Sequence, residues 1–310
     1  MYITRITILQ KHKELFAIKN SKIEVYFKDH LFKNRFMPNC PSMISGDFHH
    51  GIPSNNNSIV IDYYAELNSE FDIESIKKGG IWYPRKCKPV HEPIALILPV
   101  KGRIRQLKLY LSRIHPFLQQ QNIPYVIITV NQTGKEPFNR GVLFNVGVLH
   151  IPSTINCFIL SDVDLIPDRY DNMFTCNELH PKHMSPAVSK FDYKLPYEEI
   201  FGGIVAFTRE QFYRINGFST RYWGWGGEDD DLFKRTIKYF KNIYRVPLDI
   251  GRITHMNHYI NESGDINNDR YKLLKDVYDY SKDGLNNTLS ICTVLSINYL
   301  HFRTDITVHC

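Results

Sequence analysis

The sequence predicts an α/β fold with a mostly parallel sheet and flanking helices. Within residues 93–160, short continuous apolar runs are typical of strands buried on both faces, and the segments between them carry apolar residues at helical spacing. This alternation of strand and helix is typical of a doubly wound sheet. Ligands of such sheets bind beyond the carboxyl ends of the strands, and an acidic triplet, Asp162-Val163-Asp164, follows the third predicted strand.

Each predicted element follows from its own pattern. Residues 94–98 form the first apolar run, and Leu107, Leu111, Ile114 and Leu118 then mark one face of a helix that ends near Asn122-Ile123-Pro124. The same patterns predict strands at 125–130, 157–160 and 201–207, and helices at 140–149, 209–215 and 229–240.

Residues 1–90 differ in composition from the rest of the chain. They lack a clear period and are rich in Asn, Ser, Lys and Pro, so we expect an irregular stem or wrap that packs on an ordered domain at 91–310. The chain has 38 basic and 32 acidic residues, and this modest excess argues against a nucleic-acid partner. No uninterrupted apolar stretch reaches about 18 residues, so the sequence predicts no membrane anchor.

The acidic triplet carries the first chemical signal. Asp162 and Asp164 stand at i and i+2 after a buried strand, so both carboxylates are expected on the same side of the sheet edge. A hard divalent cation held there can bridge to a diphosphate. The alternative is a loop turn with two solvated acids.

A loop rich in glycine and tryptophan, followed by four acids, carries the second signal. Trp223 and Trp225 offer faces on which sugars stack, and the neighbouring glycines let the loop move. Glu228–Asp231 are expected to begin a helix, and their mutual repulsion should raise at least one pKa, as a general base requires. A plain acidic helix start explains the acids but not the loop beside them.

Two weaker patterns complete the set. His255-x-x-His258 places two imidazoles three residues apart, which with one Asp could form a metal site, although 13 histidines make such a pair common by chance. Pro99–Arg103 combines a turn, two cations and a helix start, which suits a nucleotide phosphate. The alternative there is an ordinary strand-to-helix turn.

Together these residues resemble the β1,4-galactosyltransferase family. The resemblance implies a GT-A type, Rossmann-like nucleotide-sugar transferase fold, with residues 91–310 as the catalytic domain, and an inverting displacement on a UDP sugar. Five motifs occur in the family's order: Phe138-Asn139-Arg140, Asp162–Asp164, Phe201-Gly202-Gly203, Gly224–Asp231 and Asp283–Asn286.

The resemblance implies a role for each matching residue. Asp229 matches the base that takes the proton of the acceptor's 4-hydroxyl, with Glu228 beside it in the catalytic pair. The residues expected at the UDP sugar are Pro99, Lys101, Arg103, Phe138, Arg140, Asp162, Val163, Lys190, Ile200, Gly203 and Trp225. Those expected at the acceptor are Tyr197, Gly227, Asp229, Asp230, Arg270, Tyr271 and Leu274. Those expected at the metal, Mn²⁺ by resemblance, are Asp164, His255 and His258.

Two positions depart from the usual pattern of the family. Galactose-specific members carry tyrosine where this chain has Ile200, whereas members that use N-acetylgalactosamine carry Ile or Leu, which leave room for the acetamido group at C2 of the donor. The implied reaction is transfer from UDP-GalNAc to the 4-hydroxyl of a terminal β-GlcNAc, as in the invertebrate-type subgroup, with UDP-Gal as the alternative donor. His255 replaces the usual methionine, and because imidazole suits Mn²⁺, Co²⁺ and Zn²⁺ better than a thioether does, other divalent metals stay open.

The resemblance also bears on disulfides, location and partners. Matching cysteines of the family pair as Cys40–Cys87 and Cys157–Cys176, whereas Cys292 and Cys310 have no counterparts and could pair or stay free. The family implies the Golgi lumen or secretory pathway, and it leaves room for a modifier protein or a homo-oligomer. Two other functions stay open, a transferase acting on proteoglycan cores and an inactive sugar-binding module.

Overall fold

A computed structural model describes residues 22–33, 37–41, 45–48, 73–256, 265–276 and 278–310. Its strands are β1 Ile81–Trp82, β2 Ile94–Val100, β3 Tyr125–Thr133, β4 Cys157–Leu160, β5 Leu165–Pro167, β6 Lys182–His183, β7 Ala187–Val188, β8 Val205–Thr208, β9 Tyr244–Arg245, β10 Arg252–His255, β11 Thr293–Tyr299 and β12 Thr304–His309. Its α-helices are α1 Lys22–Lys33, α2 Ile104–Gln120, α3 Arg140–Leu149, α4 Arg209–Arg214, α5 Glu228–Phe240, α6 Arg270–Lys275 and α7 Thr288–Ile291.

Nine of the described strands form one mixed sheet. Its order is β11-β12-β3-β2-β4-β8-β6-β9, with β1 paired to the start of β3. The four central strands β12, β3, β2 and β4 run parallel, and antiparallel pairs lie toward both edges. Strands β5, β10 and β7 form a second, three-stranded sheet. The predicted α/β class is therefore confirmed, with the parallel part at the centre of the large sheet.

The large sheet has an apolar cluster on each face. Alternate residues of β2 enter opposite clusters, because successive side chains of a strand point to opposite sides. Ala95 and Ile97 pack with side chains of α3, whereas Leu96 and Leu98 pack with side chains of α2. Gly147 lets α3 lie close to the sheet, since a Cβ at that position would collide with the Ile97 side chain.

Most predicted elements have their expected ranges. Helix α3 and strand β4 coincide with the predicted residues, and the other predicted helices and strands are confirmed to within three residues, apart from one. The predicted strand at 201–207 is wrong at its start, because only Val205–Thr208 pairs with β4. The residues before it form a turn in which Gly203 has φ +74°, a left-handed conformation that glycine adopts without a side-chain clash.

Local hydrogen bonds decide where α3 and α4 begin. The side chain of Asn139 accepts a bond from the Val142 amide at 3.0 Å, so α3 begins at Arg140. Thr208 and Gln211 form a reciprocal capping box that begins α4 directly after β8. The Asn139 cap matters for the site, because it places the Arg140 guanidinium on the first turn of a buried helix.

Two parts of the fold lie where the sequence predicts no regular structure. Helix α1 falls within the segment expected to be irregular, and it buries Ile23 and Phe27. Strands β11 and β12 form a hairpin whose second strand adds to β3 and buries Ile306 and Val308. The division at residue 90 stays a prediction, although β1, before it, is already part of the large sheet.

Three disulfides link the described cysteines. The predicted pairs Cys40–Cys87 and Cys157–Cys176 are confirmed. Cys292 and Cys310, which the sequence left open, also pair, and their bond joins the two ends of the β11–β12 hairpin. Within the ranges described above, no helix combines the length and apolar character needed to cross a membrane.

Candidate active site

A cleft of about 1120 Å³ lies at the carboxyl end of β4. The turn after β4, the segment 196–203, the first turns of α5 and helix α6 contribute its walls. Most predicted site residues line it: Arg103, Phe138, Arg140, Asp162, Asp164, Lys190, Tyr197, Ile200, Gly203, Trp225, Gly227, Glu228, Asp229, Asp230, His255, Arg270, Tyr271 and Leu274.

Arg140 is the charged centre of the cleft. Its Nε and Nη2 donate to the two carboxylate oxygens of Asp162 at 2.6 and 3.1 Å, which is a bidentate pair. Its Nη1 lies 3.4 Å from Oε1 of Glu228, and Nη2 also donates to the carbonyl oxygen of Gly203 at 3.2 Å. One largely buried cation therefore joins the turn after β4, the glycine turn before β8 and the start of α5.

The four acids at the start of α5 have different surroundings. Glu228, Asp229 and Asp230 line the cleft, whereas Asp231 is buried and pairs with Arg235 at 2.6 Å. Asp230 accepts a bond from the Tyr197 hydroxyl at 2.8 Å. The helix separates the acids because about 3.6 residues make one turn, so four consecutive residues cannot share one face.

Glu228 and Asp229 hold their protons more strongly than ordinary carboxyl groups. Burial and the charge of Asp229 raise the pKa of Glu228 to about 7, against the lowering effect of Arg140. Burial also raises the pKa of Asp229, which Arg140 lowers and Asp230 raises. The repulsion expected from the sequence is present, but burial is the larger cause. A carboxylate of raised pKa is a stronger base, which suits proton abstraction.

Gly202 makes room for the Asp229 carboxylate. A Cβ at position 202 would collide with Oδ2 of Asp229, so only glycine fits there. The Gly202 carbonyl oxygen accepts bonds from Ser185 Oγ at 3.0 Å and from His183 Nε2 at 3.2 Å. The Phe-Gly-Gly motif therefore supplies a close backbone approach to the candidate base.

Of the three residues predicted to bind a metal, Asp164 and His255 lie in the part of the chain that the structure describes. Strand β10 pairs with β5 so that His255 lies opposite Leu165, and its Nε2 is 3.8 Å from Oδ2 of Asp164. A carboxylate oxygen and an imidazole nitrogen that face one cleft fit Mn²⁺ and similar divalent cations. Nη1 of Arg103 also lies 3.0 Å from Oδ2 of Asp164, so a bound cation would share that carboxylate with a guanidinium.

The third predicted ligand, His258, lies outside the described residues. Among the residues that are described, no group of three or more His, Cys, Asp or Glu side chains is placed to hold a metal ion. The predicted ligand set of Asp164, His255 and His258 therefore stays a prediction.

Trp225 stands at the mouth of the cleft with 66% of its surface exposed. Its amide donates to the carbonyl oxygen of Asp265 at 2.8 Å, and its own carbonyl accepts from the Asn267 amide at 3.0 Å. Gly226 and Gly227 on its other side have φ +108° and +93°, where glycine is favoured. The geometry presents an indole face beside the cleft, as a sugar-stacking residue requires.

Helix α6 brings the predicted acceptor residues to the same cleft. The Arg270 guanidinium lies 5.8 Å from the Trp225 ring centroid and 4.6 Å from that of Tyr271. Nζ of Lys234 donates to the carbonyl oxygen of Leu274 at 2.8 Å and so joins α6 to α5. The candidate acceptor wall is therefore attached to the helix that carries the candidate base.

Three residues predicted at the nucleotide do not line the cleft. Pro99 and Val163 are buried, with Val163 in the apolar cluster that packs against α2. Lys101 donates instead to the carbonyl oxygen of Glu136. Their nucleotide contacts stay predictions.

Several cleft residues carry no motif in the sequence. The α5 members of this group repeat at i+4 from Asp229 and Asp230, so helical periodicity would have identified them. Ser185 offers no such signal, because it reaches the cleft only through the pairing of β6 with β8. The α5 members are Phe233, Lys234, Ile237 and Lys238.

The Asp283–Asn286 motif lies behind α5 and outside the cleft lining. The Asp283 carboxylate accepts bonds from Ser219 Oγ at 2.6 Å, Thr220 Oγ1 at 2.7 Å and Arg235 Nη2 at 2.8 Å. Arg235 is fully buried and also pairs with Asp231. This motif therefore holds α5 in place.

Two sequence families match consecutive parts of the chain. The family described as the N-terminal region of glycosyl transferase group 7 matches residues 52–177, and that described as the N-terminal domain of galactosyltransferase matches 182–259. Beta-1,4-galactosyltransferase 4 of Mus musculus is 33% identical over 318 residues, covering 99% of this chain and 89% of that protein. The chain belongs to the β1,4-galactosyltransferase family.

This β1,4-galactosyltransferase family member is also similar to one further relative and to one solved structure. A β-N-acetyl-D-glucosaminide β-1,4-N-acetylglucosaminyl-transferase of Lymnaea stagnalis is 43% identical over 223 residues, covering 71% of this chain and 44% of that protein. A crystal structure of a mutant Drosophila β1,4-galactosyltransferase 7 with manganese, UDP-Gal and xylobiose matches with a TM-score of 0.61 and 24% identity, covering 71% of this chain and 94% of that one. The second likeness shows the fold, so the predicted GT-A type is confirmed.

Proposed function

We propose that this family member is an inverting glycosyltransferase that moves GalNAc from UDP-GalNAc to the 4-hydroxyl of a terminal β-GlcNAc, giving GalNAcβ1-4GlcNAc on glycoprotein or glycolipid glycans. The observation that carries the proposal is the position of Asp229. It shares one cleft with the candidate metal ligands Asp164 and His255 and with the α6 residues Arg270 and Tyr271. A base in a cleft with room for donor and acceptor suits direct transfer between them.

In this mechanism Asp229 accepts the proton of the acceptor's 4-hydroxyl while that oxygen bonds to C1 of the donor. The bond from C1 to the diphosphate breaks on the opposite face, so one displacement inverts C1. Arg140 offsets the charges of Asp162 and Glu228, which keeps several acids within one cleft. Glu228, with its pKa near neutral, can donate or accept a hydrogen bond at a sugar hydroxyl.

Asp164 and His255, with His258 as the third predicted ligand, would hold a divalent cation, Mn²⁺ by the family resemblance. Such a cation, when bound, neutralises charge on the departing diphosphate. Arg103 lies against Asp164 and adds a second positive charge at the same end of the cleft.

Ile200 supports an N-acetylated donor. It is half-buried and lines the cleft, and its aliphatic side chain offers the acetamido methyl an apolar wall without a competing hydroxyl. The name of the Lymnaea relative supports an N-acetylhexosamine donor, whereas the name of the mouse relative supports galactose. The alternative donor UDP-Gal therefore belongs in the same test.

The proposal is tested with purified protein, Mn²⁺, a GlcNAc-terminated acceptor, and UDP-GalNAc, UDP-Gal or UDP-GlcNAc in parallel, reading UDP release, product mass and anomeric configuration. Faster transfer from UDP-GalNAc, with a β product, is the expected result. Faster transfer from either other sugar nucleotide replaces the donor but keeps the reaction class. Binding of UDP and GlcNAc without any transfer would instead indicate a sugar-binding module.

Replacing Ile200 with tyrosine is expected to shift donor preference toward UDP-Gal. The ring occupies the space proposed for the acetamido group, and a misfit of this kind costs roughly tenfold to a hundredfold in kcat/KM. The measurement is the ratio of kcat/KM for UDP-GalNAc to that for UDP-Gal. Ile200→Leu is the matched control and should keep the wild-type ratio, whereas an unchanged ratio in Ile200→Tyr would remove Ile200 from donor selection.

Replacing His255 with methionine is expected to weaken Mn²⁺ binding about tenfold, which equals about 1.4 kcal/mol. A thioether is a poorer ligand than imidazole for this cation. Titration of free Mn²⁺ by electron paramagnetic resonance measures the affinity without any assay of transfer. His301→Met, which changes an exposed histidine outside the cleft, is the control. Equal affinity in wild type and His255→Met would show that His255 is not a ligand.

A location in the Golgi lumen or secretory pathway is part of the proposal, as is room for a modifier protein or a homo-oligomer. The three disulfides support an oxidising compartment, because such bonds persist there and are rare where thiols are kept reduced.

A further inference from the structure

One guanidinium holds the backbone on which Ile200 stands. Nη2 of Arg245 donates to the carbonyl oxygen of Glu198 at 2.7 Å and to that of Ile200 at 2.9 Å. Arg245 is half-buried and does not line the cleft. It therefore reaches the site from behind, through the main chain.

The held segment has little regular structure of its own. Residues 192–204 contain no helix or strand, and the Ile200 amide donates to the carbonyl oxygen of Tyr197 at 3.3 Å. Without a strand ladder, the depth of Ile200 in the cleft depends on groups that bind its neighbouring carbonyls. Arg245 binds the carbonyl of Ile200 itself and that of Glu198, two residues before it.

Arg245 itself stands on the large sheet. It pairs with His183 in the parallel β6–β9 register, and β6 is in turn paired to β8. The next fixed carbonyl along the chain, that of Gly202, is held by His183 and Ser185 instead. Loss of Arg245 should therefore free residues 198–200 while the turn against the candidate base keeps its own bonds.

We propose that Arg245 is a positioning residue for donor selection, which fixes Ile200 at the depth where its side chain contacts the C2 substituent of the sugar nucleotide. This inference rests on the proposed function, because it assigns Ile200 to the donor. It adds a second determinant of selectivity that touches no substrate. Donor preference then depends on a guanidinium and two carbonyls as well as on the side chain at position 200.

The test compares Arg245→Met, which keeps an unbranched apolar stem, with Arg245→Lys, which keeps one charged donor group. For each protein, kcat/KM is measured with UDP-GalNAc and UDP-Gal, and the Kd of each donor and of UDP by calorimetry without acceptor. We expect the donor ratio to fall about tenfold in Arg245→Met, as loss of a hydrogen bond to a charged donor predicts, and less in Arg245→Lys. The Kd of UDP should stay within about twofold, because UDP lacks the sugar.

Two controls separate positioning from general loss of structure. Arg214→Met removes an exposed guanidinium that stacks on Phe240 outside the cleft, and it should keep the wild-type ratio. In an Ile200→Ala background, Arg245→Met should leave the ratio unchanged, because the side chain it positions is already gone.

Each outcome decides the inference separately from the proposed donor. An unchanged donor ratio in Arg245→Met, or an equal loss for both donors and for UDP, overturns the positioning role. A wild-type preference for UDP-Gal rejects the proposed donor. The positioning role is still tested in that case, because the ratio of kcat/KM for the two donors either changes in Arg245→Met, which supports it, or does not, which overturns it. If no transfer occurs, the ratio of the two donor Kd values decides the same question.

Discussion

Asp229→Asn is expected to lower kcat for sugar transfer by about 10³-fold while leaving the Kd of UDP almost unchanged. The amide keeps the size of the side chain and an oxygen that can accept the Asp230 amide, which Asp229 Oδ1 binds at 3.0 Å. It cannot take the proton of the acceptor hydroxyl. Steady-state kinetics with a GlcNAc-terminated acceptor, together with calorimetry of UDP, measure the two quantities.

The pH dependence of the wild-type transfer rate is a second test of the role proposed for Asp229. In the proposed role Asp229 accepts a proton only when it is ionised, and burial raises its pKa. The rate should therefore fall, as the pH is lowered, at a higher pH than an ordinary aspartate with a pKa of about 3.9 would give. Because Asp229 and Glu228 are neighbours whose charges interact, the apparent pKa on the acidic side of the pH–rate profile belongs to the two carboxyl groups together.

The matched control for Asp229→Asn is Asp249→Asn, which changes an exposed carboxylate outside the cleft and should keep the wild-type kcat. Wild-type transfer by Asp229→Asn would exclude the base role and point to Glu228. A loss of UDP binding equal to the loss of kcat would indicate a distorted cleft.

Arg235→Met is expected to lower the free energy of unfolding by about 3–5 kcal/mol, the range for removing one partner of a buried ion pair. Arg235 is fully buried, and it binds Asp231 at 2.6 Å and Asp283 at 2.8 Å. Methionine fills much of the volume but leaves two enclosed carboxylates without their cation. Urea unfolding followed by tryptophan fluorescence measures the difference.

The loss of stability in Arg235→Met should be smaller at acid pH than at neutral pH. Burial raises the pKa of Asp283, but hydrogen bonds from Ser219 and Thr220 and the charge of Arg235 outweigh it, so the pKa is lowered overall. A carboxyl whose folded pKa is lowered stabilises the fold above its unfolded pKa, and this stability is lost as the pH falls through the folded pKa. The difference in the free energy of unfolding between wild type and Arg235→Met should therefore be largest at neutral pH and become smaller in acid.

Arg235→Lys keeps the charge and should recover part of the lost stability, whereas the exposed Arg214→Met should cost little. A pH-independent loss in Arg235→Met would indicate a packing defect. No loss at all would show that the ion pairs contribute nothing net to the fold.

Much of the fold could be predicted because its signals are local. The apolar runs of β2 and β4 and the amphipathic pattern of α2 and α5 are visible within short windows, and their ranges agree with the structure to within a few residues. Helix α1 was missed because it lies in a segment rich in Asn, Ser, Lys and Pro, and the C-terminal hairpin was missed because polar residues interrupt the apolar ones along both of its strands. The predicted strand at 201–207 began too early because the carbonyls of the Gly202-Gly203 turn accept hydrogen bonds from distant Ser185 and Arg140, which the local pattern does not contain.

The sequence by itself determined the α/β class, because the spacing of apolar residues fixes which side chains share a face, and its motifs carried the family resemblance, which implied most of the predicted residues that line the cleft. Only the tertiary structure decided that Asp231 leaves the acid cluster for Arg235, that the Asp283 motif supports α5, and that Arg245 holds the carbonyl of Ile200. The last two assignments depend on pairings between residues 48 and 45 positions apart, Arg235 with Asp283 and Arg245 with Ile200, whereas Asp231 and Arg235 stand at i and i+4 of α5. These two long-range contacts form only when distant parts of the chain pack together, so no local pattern in the sequence contains them.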